Sequence, residues 1–358
     1  MKTGLIPFVL AAAALAQPTP PLQPTSGPGG STYSNSFIVN GPYWANNRTN
    51  DDNFKYYIYE PSNPTPASAP VILFLHGFAA FSTSNYDLWL QHMAKNGYIV
   101  IWVQYQAKSI QAPSSFAANA RAAYYDALYR LQNFWWETHV KPARDANGNL
   151  KTTFVGHSAG AWLAAVLAAT ASTQVPVLPA PQALTLVAPG TKGLIPGADF
   201  SLIPPTTKYE VLIGDMDTLA CSQQAIQIWD GTPQVTTKDF LVVRTDLHGG
   251  ALGPPTAQYP NGNPVNPANP YQLAIHFYPN TDGYNDTTGT PGVDARDFFI
   301  TWKLSVAAAN CVNYGTNCDY AFGGGPNELD RGLWSDGVPV KPLINVKDPV
   351  TIPPIPGC

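Results

Sequence analysis

A serine flanked by two glycines is the residue of this sequence best placed to do chemistry. Gly156-His157-Ser158-Ala159-Gly160 follows the β-like run 152–155 and opens a second apolar run at Ala159. A strand-to-helix turn this tight holds its central residue in a strained backbone conformation, and glycines on either side avoid collisions with neighbouring backbone. The spacing therefore predicts a nucleophilic serine at the end of a strand.

A nucleophilic serine needs a general base, and histidine is the side chain that suits this role near neutral pH. If an acid and then a histidine follow the serine along the chain, only His248 and His276 qualify. His248 comes after the run 240–244 and before Gly249-Gly250, where a loop at the end of the sheet is expected. We therefore predict His248 as the base. His276 lies inside a long irregular segment, which favours a structural or surface role.

A carboxylate must orient the base. The apolar run 209–213 leads into Gly214-Asp215-Met216-Asp217-Thr218, which delivers two carboxylates at the end of a strand. Asp217 lies far enough into this loop to reach a histidine from the next strand, and it is the predicted acid. Asp215 is expected to tie down the loop, and Asp246 to brace the loop that carries His248.

Two backbone N–H groups are needed to stabilise the oxyanion that forms when serine attacks a carbonyl. One donor is predicted to be Ala159, the residue after the nucleophile. The buried run 71–75 ends in His76-Gly77-Phe78, where a glycine lets the loop backbone approach Ser158. The N–H of Phe78 is the predicted second donor. The alternative is an ordinary strand-to-helix turn.

Strand-like and helix-like runs alternate along the chain. Strands are predicted at 54–59, 71–75, 98–103, 152–155, 183–187, 209–213 and 240–244. Several are apolar throughout, as in strands buried on both faces of a parallel sheet. Helices are predicted at 116–140, 159–171 and 295–309. This order predicts an α/β fold with a mostly parallel, doubly wound sheet that helices cover on both faces.

Proline and glycine mark the predicted domain boundaries. Residues 17–32 are predicted to be a flexible lead-in, and the catalytic domain spans 33–310. Within it, about 249–292 forms an irregular insertion that is either functional or mobile. Residues 311–358 are predicted to be a Pro-rich extension that packs on the domain and is pinned by Cys358.

These motifs resemble those of the α/β-hydrolase superfamily, which includes lipases, carboxylesterases, cutinase-like polyester hydrolases and dienelactone-hydrolase-like enzymes. The resemblance covers roughly 54–309. It implies an oxyanion loop at His76-Gly77-Phe78, a nucleophile elbow around Ser158, an acid loop at Asp217 and a histidine loop at His248. The chain departs from small cutinases in its insertion after His248 and its cysteine-bearing tail.

Composition excludes several other classes of protein. Charged residues make up 12% of the chain, and 19 Lys and Arg stand against 23 Asp and Glu, for a net charge of −4. Nucleic-acid binding needs a basic excess that is absent here. The sequence also lacks the phosphate-loop, zinc-helix and dinucleotide-binding motifs, so we expect neither a cofactor nor a metal.

The N-terminus indicates the secretory route. Lys2, an apolar run and the small-residue end Ala14-Leu15-Ala16 predict a signal peptide over 1–16. The alternative, a membrane anchor, is disfavoured because the run is shorter than the roughly 20 residues of a bilayer span. No stable membrane insertion is expected. Asn47 and Asn285 stand in glycosylation motifs.

Four cysteines form an even set in this oxidising context, and two disulfides are predicted. Cys311 and Cys318 flank a turn-prone stretch, which favours their pairing and leaves Cys221 for Cys358. A zinc site is the disfavoured alternative, because no histidine lies near Cys311 or Cys318.

We expect a secreted, monomeric serine hydrolase that cleaves carboxylic esters of small molecules, lipids or polyesters through an acyl-enzyme. Four aromatic residues near the predicted site either line an apolar acyl pocket or pack in the core: Phe78, Phe81, Tyr105 and Trp162. Two alternatives remain open, a serine amidase or aminopeptidase of the same fold and a non-catalytic binding protein.

Overall fold

The computed structural model describes residues 18–45, 48–134, 139–248, 257–258, 264–265, 272–281, 293–352, 355 and 357–358. Within them, nine strands form the central sheet: β1 (Ser36–Trp44), β2 (Lys55–Ser62), β3 (Val71–Leu75), β4 (Ile99–Gln104), β5 (Thr152–His157), β6 (Ala183–Val187), β7 (Lys208–Gly214), β8 (Lys238–Val243) and β9 (Ile344–Asn345). Their order is β1-β2-β4-β3-β5-β6-β7-β8-β9. The strands from β4 to β8 are parallel, whereas β1, β2 and β9 are antiparallel to their neighbours. The predicted fold class is confirmed.

The described helices are α1 (Asp87–Lys95), α2 (Phe116–Asn133), α3 (Ala159–Ala169), α4 (Gln223–Asp230), α5 (Trp302–Tyr314) and the short α6 (Pro326–Leu329), with a π-helical turn at Asp297–Thr301 before α5. Short 3-10 turns occur at Asp52–Phe54, Thr83–Asn85, Pro113–Ser115, Phe200–Leu202, Cys318–Tyr320 and Pro349–Thr351. Two minor two-stranded sheets pair Ser68–Ala69 with Lys141–Pro142 and Ala257–Gln258 with Pro264–Val265. Among these helices, none combines the length and apolar character that a membrane crossing requires.

The apolar strands are buried because helices cover both faces of the sheet. In β3, alternate side chains point to opposite faces. Val71, Leu73 and Leu75 belong to the core layer that contains α2 and α3, whereas Ile72 and Phe74 belong to the layer that contains α1 and α5. A strand between two helical layers must be apolar at every position, as the sequence of β3 is.

Helix ends depart from the predictions where local signals compete. The predicted helix 116–140 ends at Asn133. The predicted helix 295–309 begins with the π-helical turn and continues as α5 to Tyr314. There Gly315 takes a left-handed conformation (φ +68°), which ends the helix. Helix α3 is buried at every position, as its apolar composition predicts.

The N-terminal segment does not match the prediction of a flexible lead-in. From Pro18 onward it packs on the domain. The Pro28 carbonyl accepts a hydrogen bond from the His92 side chain (2.8 Å), and Gly29 lies so close to the Phe298 carbonyl that a Cβ would come within 1.9 Å of its oxygen. These backbone contacts could not be predicted from the sequence, because Pro and Gly carry no side-chain pattern that indicates packing.

The C-terminal extension adds to the core of the domain. Strand β9 pairs with β8, and Trp334 and Arg331 are almost completely buried. The Arg331 guanidinium donates to the carbonyls of Arg244 and Lys341 and so joins the extension to the end of β8.

Candidate active site

Ser158 lies on the tight turn between β5 and α3. Its backbone has φ +56° and ψ −123°, a conformation that is strained for a residue with a side chain. A Cβ on Gly156 would come within 2.4 Å of the Gly160 carbonyl oxygen, and one on Gly160 within 2.1 Å of the Leu75 carbonyl oxygen. Both glycines are therefore required by packing. The turn holds Ser158 at the carboxyl end of the central strands.

A histidine and an aspartate complete a hydrogen-bonded line with Ser158. His276 Nε2 lies 2.8 Å from Ser158 Oγ, and His276 Nδ1 lies 2.8 Å from Asp217 Oδ2. Ser158, His276 and Asp217 are 6%, 2% and 1% exposed. This is the geometry in which a base takes the serine proton while a carboxylate fixes the imidazole tautomer.

Asp217 is held in place by its own loop, which follows β7. Its Oδ1 accepts hydrogen bonds from the N–H groups of Leu219 (3.0 Å) and Ala220 (2.9 Å), which leaves Oδ2 for His276. The neighbouring Asp215 accepts from the N–H of Thr245 with both carboxylate oxygens (2.9 and 3.0 Å) and so ties its loop to the end of β8. The structure therefore brings Asp217, and not Asp215, to the histidine.

His276 lies on the described segment 272–281, which pairs with the loop that follows β8. Asp246, in that loop, and Gln272 exchange two backbone hydrogen bonds (2.9 and 2.8 Å). Beyond Gln272, the N–H of Ala274 donates to the Thr245 hydroxyl, and the Ala274 carbonyl accepts from the N–H of Met216. These bonds at Ala274, two residues before His276, place the segment beside the acid loop.

The prediction that His248 is the base is corrected by this geometry. His248 Nε2 lies 2.7 Å from Asp336 Oδ2 at the surface, and its ring lies beside Trp334. The physical reason is the role of Asp246, whose carboxylate accepts from the N–H groups of His248 and Lys341 and from the Trp334 indole. This loop is thereby joined to the C-terminal extension and turned away from Ser158.

The two predicted oxyanion donors face one cavity. Phe78 and Ala159 both line it, together with Ser158 and His276. In the part of the chain that the structure describes, neither backbone N–H has a hydrogen-bond partner. Gly77 and Ala79, on either side of Phe78, donate their N–H groups to Tyr86 Oη (2.9 Å) and Gln106 Oε1 (2.9 Å). The loop is therefore fixed on both sides of the Phe78 N–H.

The cavity beside Ser158 has a volume of about 440 Å³ and is predominantly apolar. Its apolar wall includes the side chain of Phe78, the residue already predicted as an oxyanion donor. It also includes Leu194, Ile195 and Leu219, which sequence reasoning did not single out. Phe78, Leu194 and Leu219 are 42%, 62% and 39% exposed, so the mouth is apolar as well. Lys192 also lines the cavity, on a turn held by the hydrogen bond from the Leu194 N–H to the Thr191 carbonyl (2.9 Å).

Of the four aromatic residues considered for substrate binding, Phe78 lines this cavity and the other three do not. Tyr105 is buried, stacks on His76 at 4.2 Å and donates its hydroxyl to the His76 carbonyl (2.5 Å). Trp162 is buried in the core against Phe200. Phe81 is half-buried outside the cavity wall. The alternative of core packing holds for Tyr105 and Trp162, because both side chains belong to the core layer that contains α2 and α3.

Two buried histidines near the site, His76 and His157, are uncharged. Burial lowers the pKa of His76 to about 4. Burial, together with the nearby His276, lowers the pKa of His157 well below its ordinary value. Both rings therefore act as neutral hydrogen-bonding groups.

A comparison with known families gives a match to a model described as Chlorophyllase, over residues 53–196. This family consists of α/β-hydrolase-like esterases. The matched span runs from the start of β2 to the loop beyond β6, and it includes the Phe78 loop and the Ser158 turn. The chain belongs to the α/β-hydrolase superfamily. The match indicates an ester hydrolase of this fold. None of the curated proteins compared with the chain matches it.

Asp217 and His276 of this α/β-hydrolase lie beyond the matched span, so their assignment to the site depends on the geometry described above. A signal for His276 existed in the sequence, since it was the second of two histidines after Ser158. What the sequence did not contain was the Asp246–Gln272 pairing that returns the chain to the sheet.

Two disulfides join cysteines of the hydrolase, Cys221 with Cys358 and Cys311 with Cys318, the pairing favoured from the sequence. Cys221 donates its backbone N–H to the Asp217 carbonyl (3.2 Å), so the first disulfide attaches the C-terminus to the acid loop. The predicted signal peptide over 1–16, the glycosylation sites Asn47 and Asn285, and most of the predicted insertion lie outside the described residues.

Proposed function

We propose that this chain is a secreted serine hydrolase that cleaves carboxylic esters through an acyl-enzyme. The observation that carries the proposal is the line of hydrogen bonds from Ser158 Oγ through His276 to Asp217, at 2.8 Å each, beside an apolar cavity. The match to an esterase family supports the ester bond as the target. The two disulfides are compatible with secretion.

In the proposed reaction, Ser158 Oγ attacks the ester carbonyl while His276 Nε2 takes the hydroxyl proton. The imidazolium that forms is stabilised by Asp217 at Nδ1. The N–H groups of Phe78 and Ala159 bind the oxyanion, which requires no movement of a loop already fixed by its neighbours. His276 then gives the proton to the leaving alcohol, and the ester C–O bond breaks to leave an acyl-Ser158.

Hydrolysis of the acyl-enzyme uses the same groups in reverse. His276 Nε2 takes a proton from water, the hydroxide attacks the acyl carbonyl, and the proton returns to Ser158 as the acid leaves. Every step balances without a metal or cofactor.

The cavity favours an ester with an apolar acyl or alcohol part. Phe78, Leu194, Ile195 and Leu219 offer apolar contact, and burial of such a group is worth about 25 cal/mol per Å² of surface removed from water. The exposed apolar mouth supports substrates that are lipid-like or polymeric as well as small soluble esters.

The test is intact mass after treatment with a fluorophosphonate, on the wild type and on Ser158→Ala, together with hydrolysis of p-nitrophenyl esters from acetate to palmitate. We expect one adduct in the wild type, none in the variant, and turnover of esters. Turnover of p-nitroanilides without turnover of esters would replace the proposal with an amidase. Absence of both adduct and turnover would favour a non-catalytic binding protein.

A further inference from the structure

A second line of hydrogen bonds runs behind the Ser158–His276 pair. Gly77 N–H donates to Tyr86 Oη (2.9 Å), Tyr86 Oη lies 2.8 Å from His157 Nδ1, and His157 Nε2 lies 2.9 Å from the His276 carbonyl oxygen. We call this line the Tyr86–His157 bridge. Tyr86 and His157 are almost completely buried, at 1% and 2% exposed. The bridge spans three separate loops of the site.

The direction of each hydrogen bond follows from the chemistry of its ends. The His276 carbonyl can only accept, so His157 Nε2 must carry a proton and donate it. Because burial keeps His157 neutral, its Nδ1 has no proton and accepts from the Tyr86 hydroxyl. The Tyr86 oxygen in turn accepts from the Gly77 N–H. One neutral tautomer of His157 therefore satisfies the whole line.

The two ends of the bridge lie next to two groups whose positions relative to Ser158 matter for the proposed reaction, the oxyanion donor and the base. Gly77 precedes Phe78, whose N–H is the proposed oxyanion donor. The His276 carbonyl belongs to the residue whose ring is the proposed base. The Asp246–Gln272 pair lies four residues before His276, so a hydrogen bond to the His276 carbonyl itself fixes the ring more directly than that pair does.

We propose that Tyr86 and His157 are positioning residues that hold the Phe78 loop and the His276 backbone in fixed geometry around Ser158. This inference rests on the proposed function. Neither residue needs to touch the reacting atoms. The His157 ring lies 4.9 Å from the His276 ring, and a neutral imidazole there leaves the positive charge that develops on His276 without a like charge beside it.

The experiment measures kcat and KM with p-nitrophenyl acetate for Tyr86→Phe, His157→Asn, His157→Gln and the double variant Tyr86→Phe/His157→Asn. The Gln amide extends to the position of Nε2 and keeps a donor for the His276 carbonyl, whereas the shorter Asn amide matches Nδ1 only. We expect kcat to fall about tenfold in Tyr86→Phe and in His157→Asn, with KM little changed. His157→Gln should retain most of the kcat.

A matched control is Tyr209→Phe, which removes another buried tyrosine hydroxyl, hydrogen-bonded to Thr232 at 2.6 Å and outside the site. It should lower the midpoint of thermal unfolding while kcat stays unchanged. Far-UV circular dichroism gives the folded fraction for each variant, and kcat is expressed per folded molecule. If Tyr86→Phe does not fold, the comparison of His157→Asn with His157→Gln still decides the matter.

The double variant separates positioning from mere packing. If the bridge acts as a unit, the double variant should lose no more kcat than the worse single variant. Losses of kcat that multiply, or losses that only follow the folded fraction as in Tyr209→Phe, would overturn the inference. Inactive wild-type protein without a fluorophosphonate adduct would overturn the proposed function together with it, whereas an active wild type with unaffected variants overturns the bridge alone.

Discussion

The two disulfides should differ sharply in what their removal does. The Cys221–Cys358 bond closes a segment of sequence separation 137, and the Cys311–Cys318 bond one of only 7. In the chain-entropy description, a cross-link stabilises the fold by limiting the unfolded chain, and the gain grows with the logarithm of the loop length. This gives about 5 kcal/mol for the first disulfide and about 2.4 kcal/mol for the second.

The first disulfide also bears on the reaction. The Cys358 Sγ lies 3.7 Å from the Asp217 carbonyl oxygen, and the Cys221 N–H donates to that same oxygen. Breaking the bond frees one side of the loop whose carboxylate orients His276. We expect kcat to fall roughly tenfold in Cys221→Ser/Cys358→Ser. Neither Cys311 nor Cys318 lines the cavity, so the matched variant Cys311→Ser/Cys318→Ser should keep its kcat.

The assay combines urea unfolding with hydrolysis of p-nitrophenyl acetate at a temperature where both double variants are folded. The free energy of unfolding in water should drop about twice as far for the Cys221/Cys358 variant as for the Cys311/Cys318 variant. Equal stability losses would refute the loop-length reasoning. An unchanged kcat in the Cys221/Cys358 variant would refute the claim that this disulfide holds the acid loop.

Three further predictions test separate parts of the structure. Burial, and then the neighbouring Asp239, raise the pKa of Glu328 to about 7. The folded state therefore favours the protonated carboxyl, whose contribution to the free energy of unfolding is complete below the unfolded pKa near 4.5 and is lost as pH rises through 7. The free energy of unfolding should be measured with urea across about pH 5 to 8, the range of this change. For Glu328→Gln it should depend less on pH than for the wild type, and it should be higher at the alkaline end by on the order of 3 kcal/mol. Parallel pH curves for the two proteins would count against this. In Gly160→Ala a Cβ would meet the Leu75 carbonyl oxygen at 2.1 Å, so we expect at least ~3 kcal/mol of destabilisation or failure to fold, and native-like stability by calorimetry would contradict it. Leu194→Ser should lower kcat/KM about fivefold for long-chain p-nitrophenyl esters and little for the acetate ester. An equal effect on both would contradict apolar contact between Leu194 and the substrate.

Much of the sheet was predictable because its strands are short apolar runs between two helical layers. The predicted run 71–75 coincides with β3, and the predicted run 183–187 with β6. β1 was missed because Gly41-Pro42 interrupts its alternation, and its pairing register shifts between Asn40 and Tyr43. β9 was missed because two residues within a Pro-rich tail carry no local signal, and only pairing with β8 makes them a strand.

The residues of the candidate site also differ in how far the local sequence determines their positions. Ser158 and the glycines around it are specified locally, because one tight turn imposes both the residue types and their spacing. Asp217 follows its strand directly, so its position could be argued from the sheet. His276 comes from a segment whose place is set by pairing between Asp246 and Gln272, and no local pattern encodes a contact between residues that far apart. His248 looked better because proximity to a strand end was the one available criterion.

The central claim is that His276, and not His248, is the base that activates Ser158. The most direct test is kcat/KM for p-nitrophenyl acetate in His276→Ala and His248→Ala, with the rate of fluorophosphonate labelling of Ser158 as a second readout. We expect His276→Ala to lose on the order of a thousandfold or more in both readouts. His248→Ala removes a surface contact with Asp336 and should stay within about twofold of the wild type. A collapse of activity in His248→Ala together with an active His276→Ala would contradict the central claim.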